Sequence, residues 1–151
     1  KKCALSELDE KKLMQYIKSK KKIFISTPFS KAAVDRLIRF GVPAFKIASF
    51  ENNHLPLIKK TASTGKPLII STGMATLGEL DQAVNTARDA GCEQLVLLKC
   101  TSTYPASPKN SNLKTIEHMK NFQEIYSRLR RCLSLFALYM GSLRTPQLPQ
   151  H

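Results

Sequence analysis

Four short apolar runs begin near residues 23, 44, 67 and 94, and their spacing of 21, 23 and 27 residues constrains this chain more than any other feature. They are Ile23–Ser26, Ala44–Ala48, Pro67–Ile70 and Gln94–Leu98. A polar loop and then a segment with helical spacing follows each of them. Lys31–Phe40 places Ala33, Val34, Leu37 and Ile38 on one side and stops at Gly41. His54–Thr64 does the same with Leu55, Leu57, Ile58 and Ala62 and stops at Gly65. Thr76–Ala90 opens with Thr76 and Glu79 in capping-box register and closes at Gly91. A fourth helix begins within Asn112–Met119, and Leu5–Ser19 reads as a preceding helix with Ser6 and Asp9 at its start. Strand, loop, helix and loop at this period make a parallel sheet. Strands that are nearly all apolar fit a sheet covered on both faces. The expectation is an α/β chain of about four βα units, either a doubly wound sheet or part of a (βα)8 TIM barrel. A whole barrel takes roughly 250 residues, so this chain holds only a partial one.

The pattern divides the chain into residues 1–22, an N-terminal helix and linker; residues 23–120, the partial barrel; and residues 121–151, a divergent tail. Past Glu124 there is no further acid, and Arg128, Arg130 and Arg131 precede the apolar stretch Cys132–Met140. A translated frameshift or other non-native extension accounts for this change better than a membrane-surface helix. Lys1-Lys2 opens the chain with no apolar h-region behind it, so no signal peptide is expected. The missing initiator Met reads as the mark of a fragment. No run of 18 or more apolar residues offers a membrane span.

Net charge is +13, and its distribution decides its meaning. Residues 1–22 carry eight Lys and three acids, whereas residues 23–120 carry twelve basic and seven acidic residues. The excess is concentrated at the ends. The run Lys18–Lys22 has no interleaved aromatics and reads as a solvated helix end rather than a nucleic-acid face. A mild central excess suits an anionic small molecule better. Cys3, Cys92, Cys100 and Cys132 form no Cys-x-x-Cys pair, and no His stands at a zinc spacing from them. Reduced thiols in a cytoplasm are the expectation, with Cys100 a buried small hydrophobe. His54, His118 and His151 are scattered and read as structural, and no G-x-G-x-x-G or Walker loop supports nucleotide binding.

Polar residues collect where the strands end, which is where α/β folds put their chemistry. The four ends read Ser26-Thr27-Pro28-Phe29, Ser49-Phe50-Glu51, Ser71-Thr72-Gly73-Met74 and Lys99-Cys100-Thr101-Ser102-Thr103-Tyr104-Pro105. Hydroxyl donors with a lysine on one rim suit an anion rich in acceptor oxygens. Lys46 is the sharpest residue of the set. In Phe45-Lys46-Ile47 its neighbours face outward and Lys46 inward, and an inward charge is costly unless an ion or substrate meets it. A slipped register would leave it on a solvated rim instead, and a Schiff-base lysine would occupy the same place.

Phe24-Ile25-Ser26-Thr27-Pro28-Phe29, Pro43 to Glu51, Lys66 to Ala75 and Leu97 to Ala106 together resemble the sialic acid synthase family, which includes N-acetylneuraminate, legionaminate and pseudaminate synthases. The likeness runs from about Ile23 to Lys120. It implies a (βα)8 barrel that condenses phosphoenolpyruvate with an N-acylated hexosamine-type sugar, in the biosynthesis of cell-surface carbohydrate. By motif position it implies that Thr27, Lys46, Ser49, Ser71 and Ser102 hold phosphoenolpyruvate, although some members have Asn in place of Ser102. Glu51 and Tyr104 would contact the sugar. No catalytic residue is assigned. The resemblance further implies a homodimer and a divalent metal, Mn or Mg, whose ligands this chain lacks. Also missing are the first barrel strand and the C-terminal antifreeze-like domain. The expectation is an inactive fragment of a synthase. The alternative is a non-catalytic anion- or phosphosugar-binding half barrel. A third class, a basic nucleic-acid or membrane-surface module, predicts binding that falls steeply with salt.

Overall fold

The computed structural model describes residues 5–103 and 105–119. Their sheet has three parallel strands, β1 (Phe45–Ile47), β2 (Leu68–Ser71) and β3 (Leu95–Leu98), in the order β1-β2-β3. Four helices accompany them: α1 (Glu7–Ser19), α2 (Lys31–Arg39), α3 (Leu55–Ala62) and α4 (Leu77–Asp89). Residues 115–119 are helical as well. The expected βα alternation is present, with β1 two residues and β3 one residue shorter than their apolar runs and β2 shifted by one residue.

Helices α1, α2 and α4 start where the sequence supplies a hydrogen-bond acceptor for the free amides of a first turn, whereas α3 has no side-chain cap and carries Pro56 in its first turn. Ser6 accepts from the Asp9 amide, Ser30 from the Ala33 amide and Thr76 from the Glu79 amide. The Glu79 carboxylate accepts in return from the Thr76 amide at 2.8 Å and its hydroxyl at 2.9 Å. Those two bonds hold the Glu79 pKa below its ordinary value. Their contribution is therefore present above the ordinary carboxylate range and is lost as pH falls through the lowered value. Helices α2, α3 and α4 each end against a glycine with φ of +68°, +70° or +91° (Gly41, Gly65 and Gly91), a conformation in which a side chain would be strained.

One face of the sheet is sealed. Phe45, Ile47, Leu68, Ile70, Leu95 and Leu97 are buried in one cluster with Val34, Leu37, Leu57, Ile58, Ala62, Ala83 and Ala87 from the helices. Helix α3 packs against both α2 and α4. Lys46, Ile69 and Val96 lie side by side in the ladder, alternate with these residues, and are only half-buried. Ile38, expected on the buried side of α2, is exposed instead, and Phe40 takes its place in the core.

The first apolar run corrects the expectation of four strands. Residues 23–29 make no backbone–backbone hydrogen bond among the described residues, so Ile23–Ser26 is not a strand. It keeps the alternation of one: Phe24 is buried while Ile23 and Ile25 are exposed. What it lacks is a partner, and a strand exists only through its ladder. It is held instead by side chains. Ser26 donates to Glu10 of α1, and Pro28 is fully buried.

The basic run at the end of α1 is partly structural. Lys18 Nζ donates to the Phe40 carbonyl at 3.0 Å, and Lys20 lies over the Tyr16 ring at 5.4 Å from its centroid. The aromatic partner stands one turn before the run rather than inside it. Among the described residues no helix is long and apolar enough to cross a membrane. The tail at residues 121–151 lies outside the described residues.

Neighbouring strand residues therefore differ sharply in what they contribute. Ile70→Ala removes a fully buried side chain and is expected to destabilise the fold by about 2–5 kcal/mol. Ile69→Ala, on the half-buried face, should cost distinctly less. Urea denaturation of the two variants against the parent chain measures the difference.

Candidate functional site

At the C-terminal end of β1 the chain leaves the sheet through a single 3-10 turn, Ser49–Glu51, closed by the Glu51 amide donating to the Ala48 carbonyl at 3.1 Å. Beyond β2 it makes a tight turn in which the Ala75 amide donates to the Thr72 carbonyl at 2.9 Å. The Thr72 amide extends the ladder to the Leu98 carbonyl at 3.0 Å. Parallel strands in register bring these loops to the same end of the sheet, and Ser102 follows β3 there.

Gly73 is where they meet. A Cβ built on it would lie 2.5 Å from Ser49 Oγ, 2.9 Å from Ser49 Cβ and closer still to Ser102 Oγ. Two hydroxyls from two different loops thus occupy the space that any other residue at 73 would fill. Ser49 and Ser102 thus approach each other from two strand ends, and the glycine that permits it sits within a strand-end motif.

Ser71 lies on the same side of the sheet as Lys46 and Ile69, by alternation along β2 and by the pairing of Lys46 with Ile69. It is 1% exposed, and its Oγ has no hydrogen-bond partner among the described residues. Glu51 Oε2 is buried and without a partner in the same way. Leaving such an atom unmatched costs about 1–3 kcal/mol, which singles out these two positions among the buried polar groups. Asn52 joins the two positions. It is 4% exposed, and its Nδ2 donates to the Ser71 carbonyl at 3.4 Å. Asn52 escaped the reading of the sequence because Asn52-Asn53 looks like an ordinary turn; only burial reveals its function in holding the Glu51 loop over β2.

Lys46 projects from the half-buried face, opposite the helix-packed Phe45 and Ile47, as its position between two apolar residues predicts. Among the described residues it makes no ion pair, whereas Lys60 is held by Asp35 at 2.7 Å. Lys99 turns back to the Cys100 carbonyl at 2.9 Å. Thr27 is half-buried on segment 23–28, outside the sheet, and Thr101 is half-buried just past β3. Tyr104 lies outside the described residues. Cys100 is half-buried rather than buried, because it follows β3 into the loop; Cys92 is the buried thiol. No three His, Cys, Asp or Glu side chains gather among the described residues, so these residues do not fit the divalent ion that the resemblance implies.

Comparison with known proteins bears on the family and on the fold. The sequence model of the NeuB family matches residues 1–127. The chain is similar to the N,N'-diacetyllegionaminic acid synthase of Campylobacter jejuni, 41% identical over 120 residues that cover 76% of this chain and 36% of that protein. Among solved structures it is similar to the N-acetylneuraminic acid synthetase of Leptospira borgpetersenii, with a TM-score of 0.73 and 28% identity over 78% of this chain and 41% of that one. It is also similar to the spore coat polysaccharide biosynthesis protein spsE of Bacillus subtilis, with a TM-score of 0.71 and 37% identity over 75% and 32% of the two chains. The chain spans about a third of the length of the curated relatives it matches.

Close packing at Gly73 yields a direct test. Gly73→Ala should destabilise the chain by about 1–3 kcal/mol, because Ser49 Cβ, 2.9 Å from the added carbon, cannot rotate away as the two hydroxyls can. Ser49→Gly in the same chain should recover part of that loss, a coupling that thermal or urea unfolding of the four-variant cycle reads out.

Proposed function

This chain belongs to the NeuB family, and from that membership we propose that it forms the phosphoenolpyruvate-binding part of a nonulosonic acid synthase, within a (βα)8 barrel that its own strands make only in part. The observation that carries the reading is the pair of unmatched buried atoms, Ser71 Oγ and Glu51 Oε2, at the end of the sheet where the Ser49 and Ser102 hydroxyls meet over Gly73. A hydroxyl without a partner has a hydrogen to donate, and a bound carboxylate or phosphate oxygen would take it. Glu51, as a carboxylate, can only accept, which suits the hydroxyls of a sugar.

In this reading Lys46 offsets the charge of phosphoenolpyruvate, and Thr27, Ser49, Ser71 and Ser102 orient its carboxylate and phosphate. Glu51 and Tyr104 hold an N-acylated hexosamine-type sugar in its open aldehyde form. The methylene carbon of phosphoenolpyruvate then attacks the aldehyde carbon, whose oxygen takes up a proton. Water adds to the carbon that bears the phosphate ester, and the C–O bond to phosphate breaks to release inorganic phosphate. What these residues supply is orientation and charge compensation. No group of three His, Cys, Asp or Glu among the described residues would hold the divalent metal of the family, and no step here is assigned to it. A homodimer and a cytoplasmic location belong to the same reading.

Incubated alone with phosphoenolpyruvate, manganese and N-acetylmannosamine, the chain is expected to yield no product; turnover would refute its assignment as a part. Residues 5–119 exchanged for the matching segment of the Campylobacter jejuni relative should support synthesis of N,N'-diacetyllegionaminic acid. In that chimera Lys46→Met should raise the KM for phosphoenolpyruvate on the order of 10- to 100-fold, since a charged hydrogen bond contributes about 1.5–3 kcal/mol. Lys46→Arg should restore only part, because its planar head reaches differently. Unchanged kinetics in the Met variant would remove Lys46 from the site. A chimera that binds phosphoenolpyruvate yet makes no product would favour the non-catalytic binding module.

A further inference from the structure

Segment 23–28 carries Thr27 with no ladder to hold it, and the side chain that grips it comes from the first helix. Glu10 of α1 has a side chain only 12% exposed, and both its oxygens are engaged. Oε1 accepts from the Ser26 hydroxyl at 3.2 Å, and Oε2 accepts from Arg36 Nε of α2 at 2.7 Å. One carboxylate therefore ties two helices to the residue before Thr27. On the other side Pro28 is fully buried, so the peptide that contains Thr27 is held at both ends. The Arg36 bond is charge-assisted and half-buried, with the arginine side chain 27% exposed, which keeps the carboxylate from swinging away. Strand residues such as Lys46 are placed by the sheet itself; Thr27 is placed by this clamp.

We propose that Glu10 is a positioning residue, which through Ser26 sets where the Thr27 hydroxyl meets a bound anion. This rests on the reading of Thr27 as a phosphoenolpyruvate contact. A site whose groups must lie within about 0.5 Å of their working geometry depends on such supports, and Glu10 acts only through its neighbour.

The test uses the isotopically labelled 151-residue chain, titrated with phosphoenolpyruvate and followed by NMR. Glu10→Gln lies far from Thr27 in sequence, yet it should move the Thr27 amide and methyl resonances of the free chain while those of Ser49 stay in place. It should also raise the Kd for phosphoenolpyruvate about tenfold. Thr27→Val should raise it to a similar extent, and the double variant should be no weaker than Thr27→Val by more than about twofold, because both changes act through one hydroxyl. Ser26→Ala leaves the Glu10–Arg36 pair in place and should show the same coupling to Thr27→Val; it decides the matter if Glu10→Gln fails to fold. Unmoved Thr27 resonances, or losses that simply multiply, overturn the positioning role. Moved resonances with no loss of binding in Thr27→Val overturn the phosphoenolpyruvate contact itself, and the positioning role falls with it by a separate result.

Discussion

Everything at the strand ends depends on the in-register parallel pairing of three short strands. Phe45 stands beside Leu68 and Leu95, Lys46 beside Ile69 and Val96, and Ile47 beside Ile70 and Leu97. Since side chains alternate across a sheet, this register sends two rows into the helices and leaves the Lys46 row on the other face. A slip of one residue would bury a charge among leucines and expose the core. Register is thus enforced by the hydrophobic rows, each fully buried side chain contributing roughly 1.5–3 kcal/mol. Lys46 acquires its location as a consequence.

The same register delivers three loops to one end, and there the packing rules change. Along the strands the rows that face the helices are apolar, whereas Ser71 Oγ at the last residue of β2 and Glu51 Oε2 in the turn after β1 are buried and unmatched. A folded chain does not gain stability by such atoms. Gly73 belongs to the same logic: its missing side chain is replaced by two serine hydroxyls, so a position that could have been filled with carbon is lined with oxygen. The end of the sheet thus carries buried polar groups that cost local stability and that the described residues do not satisfy.

Segment 23–28 shows how little distinguishes a strand from a stretch of extended chain. Its composition and alternation are those of β1, and its Phe24 is just as surely part of the core. Neither property creates a ladder, because hydrogen bonds across strands need a neighbour at the right distance and the segment finds none among the described residues. The structural demand passes to side chains, and a carboxylate from α1 meets it. Basic residues show a parallel division of labour. Lys18, Lys60 and Arg36 are engaged within the fold, by a carbonyl, by Asp35 and by Glu10, so the large positive charge is not simply a surface offered to polyanions.

By itself the sequence determined the local order: where helices begin and stop, which runs are strands in the centre of the chain, and which polar residues stand at strand ends. These follow from short-range chemistry, such as the Thr76–Glu79 capping box, the glycines after α2, α3 and α4, and the two-residue period around Lys46. The family was legible as well, in four ordered motifs. Tertiary structure alone decided whether Ile23–Ser26 found a partner, that Ile38 faces solvent while Phe40 enters the core, and that Asn52, unremarkable in sequence, is buried against Ser71. It alone brought Ser49 and Ser102 together over Gly73 and tied Glu10 to Ser26 across sixteen residues. The physical reason is one of range. Capping and periodicity are settled within a few residues, whereas burial and long-range hydrogen bonds depend on which other segment occupies the neighbouring space, and no local pattern carries that information.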